Sequence, residues 1–458
     1  MSEPFHGRNT PTSTARLSRR SFLRLAGAAA AGAALSACTP GAVPTPTPVH
    51  RGRVQLVYQD WRTDWFPPMV QEMLGQFHSQ NPNISAFYIP DPENFEERML
   101  ADMQAGAAPD VFQASGPFFP ILAQKGYALD LRPFIEADLD QATIYDWDPA
   151  QYHALATKSG VQFGVPKYHG ALALYYNKDL FDIYEVDYPD ASWDYADYQE
   201  AMRRLTDDRD GDNRVDLWGS MLDVSWDRLQ VHVNAWGGHF VHPNDPSLCL
   251  MCEPEAIAAL EWVYQRMRRD GIMATALDVQ KRSTRQAFTR KLVAMVEDGS
   301  WALKDILTEA DFRVGIAPMP AGPARRVTLA TTDGFGIYAG TKHPEAAWEL
   351  VKFLISRDYG RAMARASFLQ PARASLVDEW VEVVRQEFPE KSKDADVAVF
   401  ADGHLQGYSV VTEVFANMAD AKSIASAAWD RIFSLGRDGL DEMRNVCQAI
   451  QQTQRPGR

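Results

Sequence analysis

Three groups of residues in this chain have the side chains and spacing to do chemistry. The first is Asp208-Arg209-Asp210-Gly211-Asp212-Asn213-Arg214-Val215-Asp216. Asp208, Asp210, Asp212 and Asp216 take positions 1, 3, 5 and 9 of a calcium loop, and Asn213 at position 6 tolerates the left-handed backbone required there. Position 12, a bidentate Glu in such loops, is Gly219. The stretch is therefore half a calcium hand, a candidate structural calcium site, and otherwise a solvated Asp-rich turn. The second group is Cys249-Leu250-Met251-Cys252. One such pair suits a local disulfide, half a metal site or a redox centre. No second pair or nearby His completes a zinc site, which favours the local disulfide or free thiols, with Cys447 left unpaired. The third group is a series of short clusters joining a small residue to an aromatic or polar one. These are Asp60-Trp61, Ser115-Gly116, Tyr168-His169, Trp236-Gly237-Gly238, Asp298-Gly299-Ser300-Trp301 and Thr332-Asp333-Gly334, with Gln370 and Arg373 further on. Flat rings beside planar polar groups match the apolar C–H faces and hydroxyl rim of a sugar.

Several chemistries are not supported. The 10 histidines show no HxxxH or HxH spacing, so no metal is expected from them and no cofactor is required. There is no GxSxG, HExxH or phosphate loop. A glycosidase, which needs two carboxylates across a cleft, is the rival class that counting 60 acids leaves open. Net charge is −14, and the only basic concentration is in the first residues, which argues against nucleic acid and against electrostatic docking on anionic lipid.

The clusters need elements to place them. Length, 458 residues, suits two lobes rather than one core. Residues 53–58, 84–89 and 108–112 read as strands separated by helices around Val70, Met73, Leu74, Phe77 and around Phe95, Met99, Met103. That alternation predicts a parallel sheet. Further helices are expected at 195–206, 254–269, 284–290, 344–356 and 412–434, and strands at 161–166, 171–176, 292–296, 313–317 and 334–338. In open α/β sheets ligands sit at the carboxyl ends of strands, where the third group falls.

Ser18-Arg19-Arg20-Ser21-Phe22-Leu23-Arg24 resembles the twin-arginine export signal, and Leu35-Ser36-Ala37-Cys38 resembles the lipobox of bacterial lipoproteins. The apolar stretch between them is about a dozen residues, too short to span a bilayer. Residues 1–37 are thus expected to be a signal peptide, with lipidated Cys38 opening the mature chain. Residues 38–53, rich in Pro and Thr, are expected to be a tether.

Phe163-Gly164-Val165-Pro166-Lys167-Tyr168-His169-Gly170-Ala171-Leu172-Ala173-Leu174-Tyr175-Tyr176-Asn177-Lys178-Asp179-Leu180-Phe181 resembles a hallmark segment of the family 1 extracellular solute-binding proteins, which include maltose- and other sugar-binding proteins. Ala108-Pro109-Asp110-Val111, Trp236-Gly237-Gly238, 254–272, 287–301, 314–320 and 340–348 resemble it in the same order. The resemblance implies an α/β, two-lobed periplasmic-binding fold of class II type, with discontinuous lobes joined by hinge crossings near 170–173, 314–318 and 340–346. It divides the chain into an N-lobe of 54–170 plus 317–345 and a C-lobe of 171–316 plus 346–450. By the same resemblance, Trp301 takes the place of a sugar-stacking aromatic, Tyr168 and His169 stand where relatives place a polar contact, and Tyr408 stands for a late aromatic. The implied role is capture of a sugar or oligosaccharide by hinge closure and its delivery to the permease of an ABC importer. The implied protein is a monomer anchored to the outer face of the cytoplasmic membrane. A glycerophosphodiester or a polyamine is the alternative solute.

Overall fold

A computed structural model describes residues 52–157 and 159–454. The twin-arginine segment, Cys38 and nearly all of the tether lie outside the described residues. From Gly52 onward the chain forms a compact unit of its own.

The strands are β1 (Val54–Asp60), β2 (Ile84–Pro90), β3 (Val111–Ser115), β4 (Val165–Asn177), β5 (Trp218–Met221), β6 (Val241–His242), β7 (Asp245–Cys249), β8 (Met273–Ala274), β9 (Val293–Gly299), β10 (Val314–Ala317), β11 (Thr328–Ile337), β12 (Gln370–Pro371) and β13 (Ser409–Val410). The main sheet runs β2-β1-β3-β11-β4-β9-β5-β8. Its two wings are parallel: β1 pairs with β2 and β3, and β5 pairs with β8 and β9. Between them, β11 and β4 run antiparallel to each other and to the neighbouring wing strands. The expected parallel sheet is therefore two parallel wings joined through an antiparallel pair.

Helices cover the wings. α1 (Phe66–Gln80) begins with Pro67 and Pro68 in its first turn, where a missing N–H costs nothing, and buries Phe66, Met69, Val70, Met73, Leu74 and Phe77 along one face. α2 (Pro149–Ala154) is capped by Asp148, whose side chain accepts from Ala150 N. α3 (Trp226–Ala235) is buried nearly all round. α4 (Pro344–Leu354), α5 (Arg357–Ser367), α6 (Val399–Gln406), α7 (Met418–Trp429) and α8 (Met443–Thr453) complete the set used below. Among the described residues no helix is long and apolar enough to cross a membrane.

The buried residues fall into separate clusters. One cluster of buried residues joins Leu56, Tyr58, Phe66 and Tyr168 to Phe335, Trp348, Tyr359 and Leu369. Two others join Leu172, Trp226, Met319 and Leu329 to Trp429, and Tyr175, Phe288 and Ile316 to Trp380 and Phe400. Along β4 the first cluster gives way to the others between Tyr168 and Leu172, and along β11 between Leu329 and Phe335. β11 follows β4 from Ala330↔Ala171 to Phe335↔Val165, so this strand pair contributes both to the first cluster and to that of Leu172. α4 turns Ala347, Trp348, Leu350 and Val351 into the same cluster as Leu56, and α5 gives Tyr359 and Met363 to that cluster but Ala364 to the one of Tyr175. The sheet also merges the expected strands 161–166 and 171–176 into one buried thirteen-residue β4. Helices on both of its faces make it read as a near-continuous apolar run.

Candidate functional site

On the N-lobe side, β1 ends in Asp60, whose carboxylate is wholly buried and accepts from Lys167 Nζ, from the Tyr58 hydroxyl and from Trp61 N at 2.6 Å. The Lys167 ammonium lies 3.1 Å from the centre of the half-buried Trp61 ring, and Tyr168 meets the same ring edge-on at 5.3 Å. Burial pulls the Lys167 pKa down, and Asp60 opposes that shift. Asp60 is thus spent on holding Lys167 and Trp61 in place. Asp333 pairs with Ser115 across β11 and β3, and with Tyr168 across β11 and β4. Its carboxyl is pushed up to about 6, first by burial, with Lys167 opposing and Asp60 and Asp91 adding repulsion. Asp91, held by Gln59 at 3.1 Å and Gln113 at 2.9 Å, is likewise raised to about 6 by burial and then by Asp60. Ser115 Oγ donates to Glu96 at 3.3 Å.

On the C-lobe side, a cavity of about 610 Å³ opens where β5, β8 and β9 end. Its charged lining is Asp223, Arg228, Arg282, Arg285, Asp298, Asp305 and Glu309. Asp298 accepts from Arg228 at 3.2 Å and from Arg285 at 3.5 Å, and Arg285 also donates to Asp305. The Arg228 guanidinium stands 5.4 Å from the Trp301 ring. Trp301 is half-buried and packs against the buried clusters of both lobes. A Cβ on Gly299 would come within 2.3 Å of that ring, and one on Gly170 within 3.0 Å, so both positions must lack a side chain for Trp301 to lie there.

The crossing strand carries a third group. His169 is wholly buried, with Nε2 3.1 Å from Asp148 Oδ2, and Gln370 pairs with it across β12 and β4. The remaining candidates lie apart. Trp236 caps α3 rather than a strand, and its ring meets Tyr195 edge-on at 4.5 Å and lies near Trp262. Gly237 beside it is exposed with φ of +83°. Arg373 donates twice to Ile355 O at 3.1 Å and pairs with Asp146 at 3.6 Å. Tyr408 is half-buried and bonded through its backbone to Thr328 and Gly403, and burial raises its hydroxyl pKa.

The strand-end reasoning missed Lys167, Asp91, Arg228, Arg285 and Asp305. Arg228 and its neighbours escaped because β5 and β8, of four and two residues, are too short for a period-2 signal. The signal available was the small-and-apolar run Gly219-Ser220-Met221-Leu222 before Asp223.

In the Asp-rich loop, Asn213 has φ of +65° and Gly211 of +77°. The carboxylates of Asp208, Asp210 and Asp216 converge to within 4.8 Å. Asp212 is outside that group and accepts from Arg214 N at 2.8 Å. The cysteines depart from expectation too: Cys249 Sγ lies 3.2 Å from Cys447 Sγ, because α8 packs on β7 and brings the far end of the chain to it.

Comparison with known proteins fits this architecture. The profile of the bacterial extracellular solute-binding protein family matches residues 60–361, and the chain belongs to that family. Among solved structures it is similar to an ABC substrate-binding protein of Listeria monocytogenes in complex with cycloalternan (TM-score 0.73, 22% identity, 88% of this chain and 99% of that one). It is similar to UspC of M. tuberculosis (TM-score 0.72, 23% identity, 87% and 100%). It is also similar to UgpB of Mycobacterium tuberculosis in complex with glycerophosphocholine (TM-score 0.70, 19% identity, 88% and 100%). The chain therefore has the two-lobed substrate-binding fold and is an exported solute-binding protein by family.

Proposed function

We propose that this protein captures a sugar or oligosaccharide between its lobes and delivers it to the permease of an ABC importer, without catalysis. The observation that carries this is the 610 Å³ cavity at the carboxyl ends of the C-lobe strands, beside a Trp301 that packs on both lobes. Its volume falls in the range of small-molecule sites. The three arginines of its lining are matched by four acids, and Asp298 and Asp305 already engage Arg228 and Arg285. That balance suits a neutral, hydroxyl-rich ligand better than a phosphodiester, which needs unspent Arg, or a polyamine, which needs unspent acids. Trp61 and Trp301 supply the stacking faces, and Asp298, Arg228, Ser115 and Asp333 the polar contacts. Contacts on both lobes favour the closed conformation.

The mature chain begins at lipidated Cys38, is tethered by residues 38–53 to the outer face of the cytoplasmic membrane, and acts as a monomer. The loop of Asp208, Asp210 and Asp216 holds a structural calcium, supported by the convergence of three carboxylates. Calcium then raises the melting temperature of chelator-stripped protein; Asp208→Ala abolishes the rise, and no shift at millimolar calcium rules the site out.

The decisive experiment is a thermal-shift screen of mono-, di- and oligosaccharides, polyols and glycerophosphates on the chain from Gly52 onward. A ligand at 100 times its Kd stabilises by about 2.7 kcal/mol. Turnover of a stabilising sugar refutes the absence of catalysis, and shifts by non-sugars alone refute the sugar.

A further inference from the structure

Asp148, His169 and His404 come from three different elements and meet at the crossing strand. Asp148 caps α2, His169 lies on β4 and His404 on α6. One donor atom from each, a carboxylate oxygen and two ring nitrogens, lies within 4.8 Å of the others. His169 and Asp148 are already 3.1 Å apart, and the two imidazole rings have their centres 5.7 Å apart. Tetrahedral coordination with bonds of 2.0–2.1 Å sets donor atoms about 3.3 Å from one another, so only His404 needs to draw in.

A second observation points the same way. His169 is wholly buried, yet its Nδ1 has no partner, and Oε1 of Gln370, its direct neighbour across β12 and β4, has none either. Buried polar atoms are ordinarily satisfied, and an orphaned imidazole nitrogen beside a carboxylate and a second imidazole calls for an explanation. Directly opposed residues in an antiparallel pair present their side chains to the same face. A metal on the other nitrogen fixes the tautomer that puts N–H at Nδ1, and the Gln370 amide oxygen is then the acceptor within a side-chain rotation. Asp148 is buried, while His404 is half-buried and gives access from solvent.

We propose that Asp148, His169 and His404 form a binding site for a divalent transition metal of the zinc class, with a fourth position open to water. Two imidazoles and one carboxylate are borderline donors that suit zinc and its neighbours and are poor ligands for calcium or magnesium. The site joins the lobes: Trp147, beside Asp148, packs in the N-lobe cluster, and Phe400 and Ala401, on the helix of His404, pack in a C-lobe cluster. A bound ion therefore ties α2 and α6 across the hinge strand and restrains the angle through which the lobes close.

The test is titration of the chain from Gly52 onward with Zn²⁺ and, for spectroscopy, Co²⁺, without solute. One equivalent is expected, with the visible absorption of tetrahedral cobalt, no thiolate charge-transfer band and a raised melting temperature. His404→Ala and, separately, Asp148→Asn are expected to weaken binding at least about tenfold. Metal-free His404→Ala is expected to keep the cooperative thermal unfolding and far-UV circular dichroism of the metal-free wild type, which shows that it has folded. No binding at micromolar metal overturns the site. So does a thiolate band, which moves the ion to Cys249, Cys252 or Cys447, or an octahedral spectrum, which moves it to the Asp-rich loop. Unchanged affinity in His404→Ala overturns it as well. Because the readout uses no solute, it stands or falls separately from the sugar.

Discussion

Replacing Lys167 by Met keeps an unbranched side chain, one atom shorter, and removes its charge. In the folded protein the Lys167 ammonium and the Asp60 carboxylate are both wholly out of water. Without Lys167, Asp60 retains the Tyr58 hydroxyl and Trp61 N but no counter-charge. Removing one partner of a buried ion pair costs about 3–5 kcal/mol, because the survivor stays buried and uncompensated. Lys167→Met is therefore expected to lower the free energy of unfolding in urea by that amount. Asp60→Asn in the same chain removes the stranded charge and should recover about 0.5–3 kcal/mol of the loss. The same substitution takes a cation from 3.1 Å behind Trp61, so solute affinity should also fall. A loss below about 0.5 kcal/mol, the range of a bland surface change, refutes the reasoning. A double variant no more stable than Lys167→Met alone does the same.

Other consequences are directly measurable. Asp333, raised to about 6 from a usual value near 3.8, binds its proton more tightly folded than unfolded. Its contribution to stability therefore declines as pH rises from about 4 to about 6. Asp333→Asn should gain on the wild type over that window in urea unfolding at pH 4 and pH 7; an equal difference at both rejects the assignment. Trp301→Ala should weaken solute binding by about 2 kcal/mol or more in calorimetry, and unchanged affinity removes Trp301 from the site. A disulfide-bonded oxidant should join Cys249 to Cys447 by thiol exchange, closing a loop of 198 residues worth about 5 kcal/mol in the chain-entropy account. Peptide mapping that instead finds Cys249 joined to Cys252 contradicts the packing of α8.

In the N-lobe wing β1 and β2 were legible because they precede helices of fifteen and ten residues with apolar residues along one face. Trp61, Ser115, Asp298 and Trp301 were legible as strand-end residues because small and polar turn residues follow the apolar runs there. The family was legible in one run from Phe163 to Phe181, which contains the whole of buried β4. Local order ran out where elements are short or where partners come from far along the chain. β5 and β8 hide Arg228 and the cavity. Asp60 looks like a free carboxylate until Lys167, 107 residues later, arrives beside it. Trp236 looks like a strand end and is the cap of a helix.

The family resemblance implied the two-lobed class; residue by residue, the sequence itself determined the alternation of strands and helices and the placing of aromatic and polar residues at turns. Those depend on the periodicity and turn chemistry of neighbouring residues. Tertiary structure decided which carboxylates are already engaged and which side chains meet on the long strand β4. These depend on register between strands far apart in the chain, above all β4 with β11 and β12. That register brings Lys167 to Asp60, Asp333 to Tyr168, and His169 into a group with Asp148 and His404.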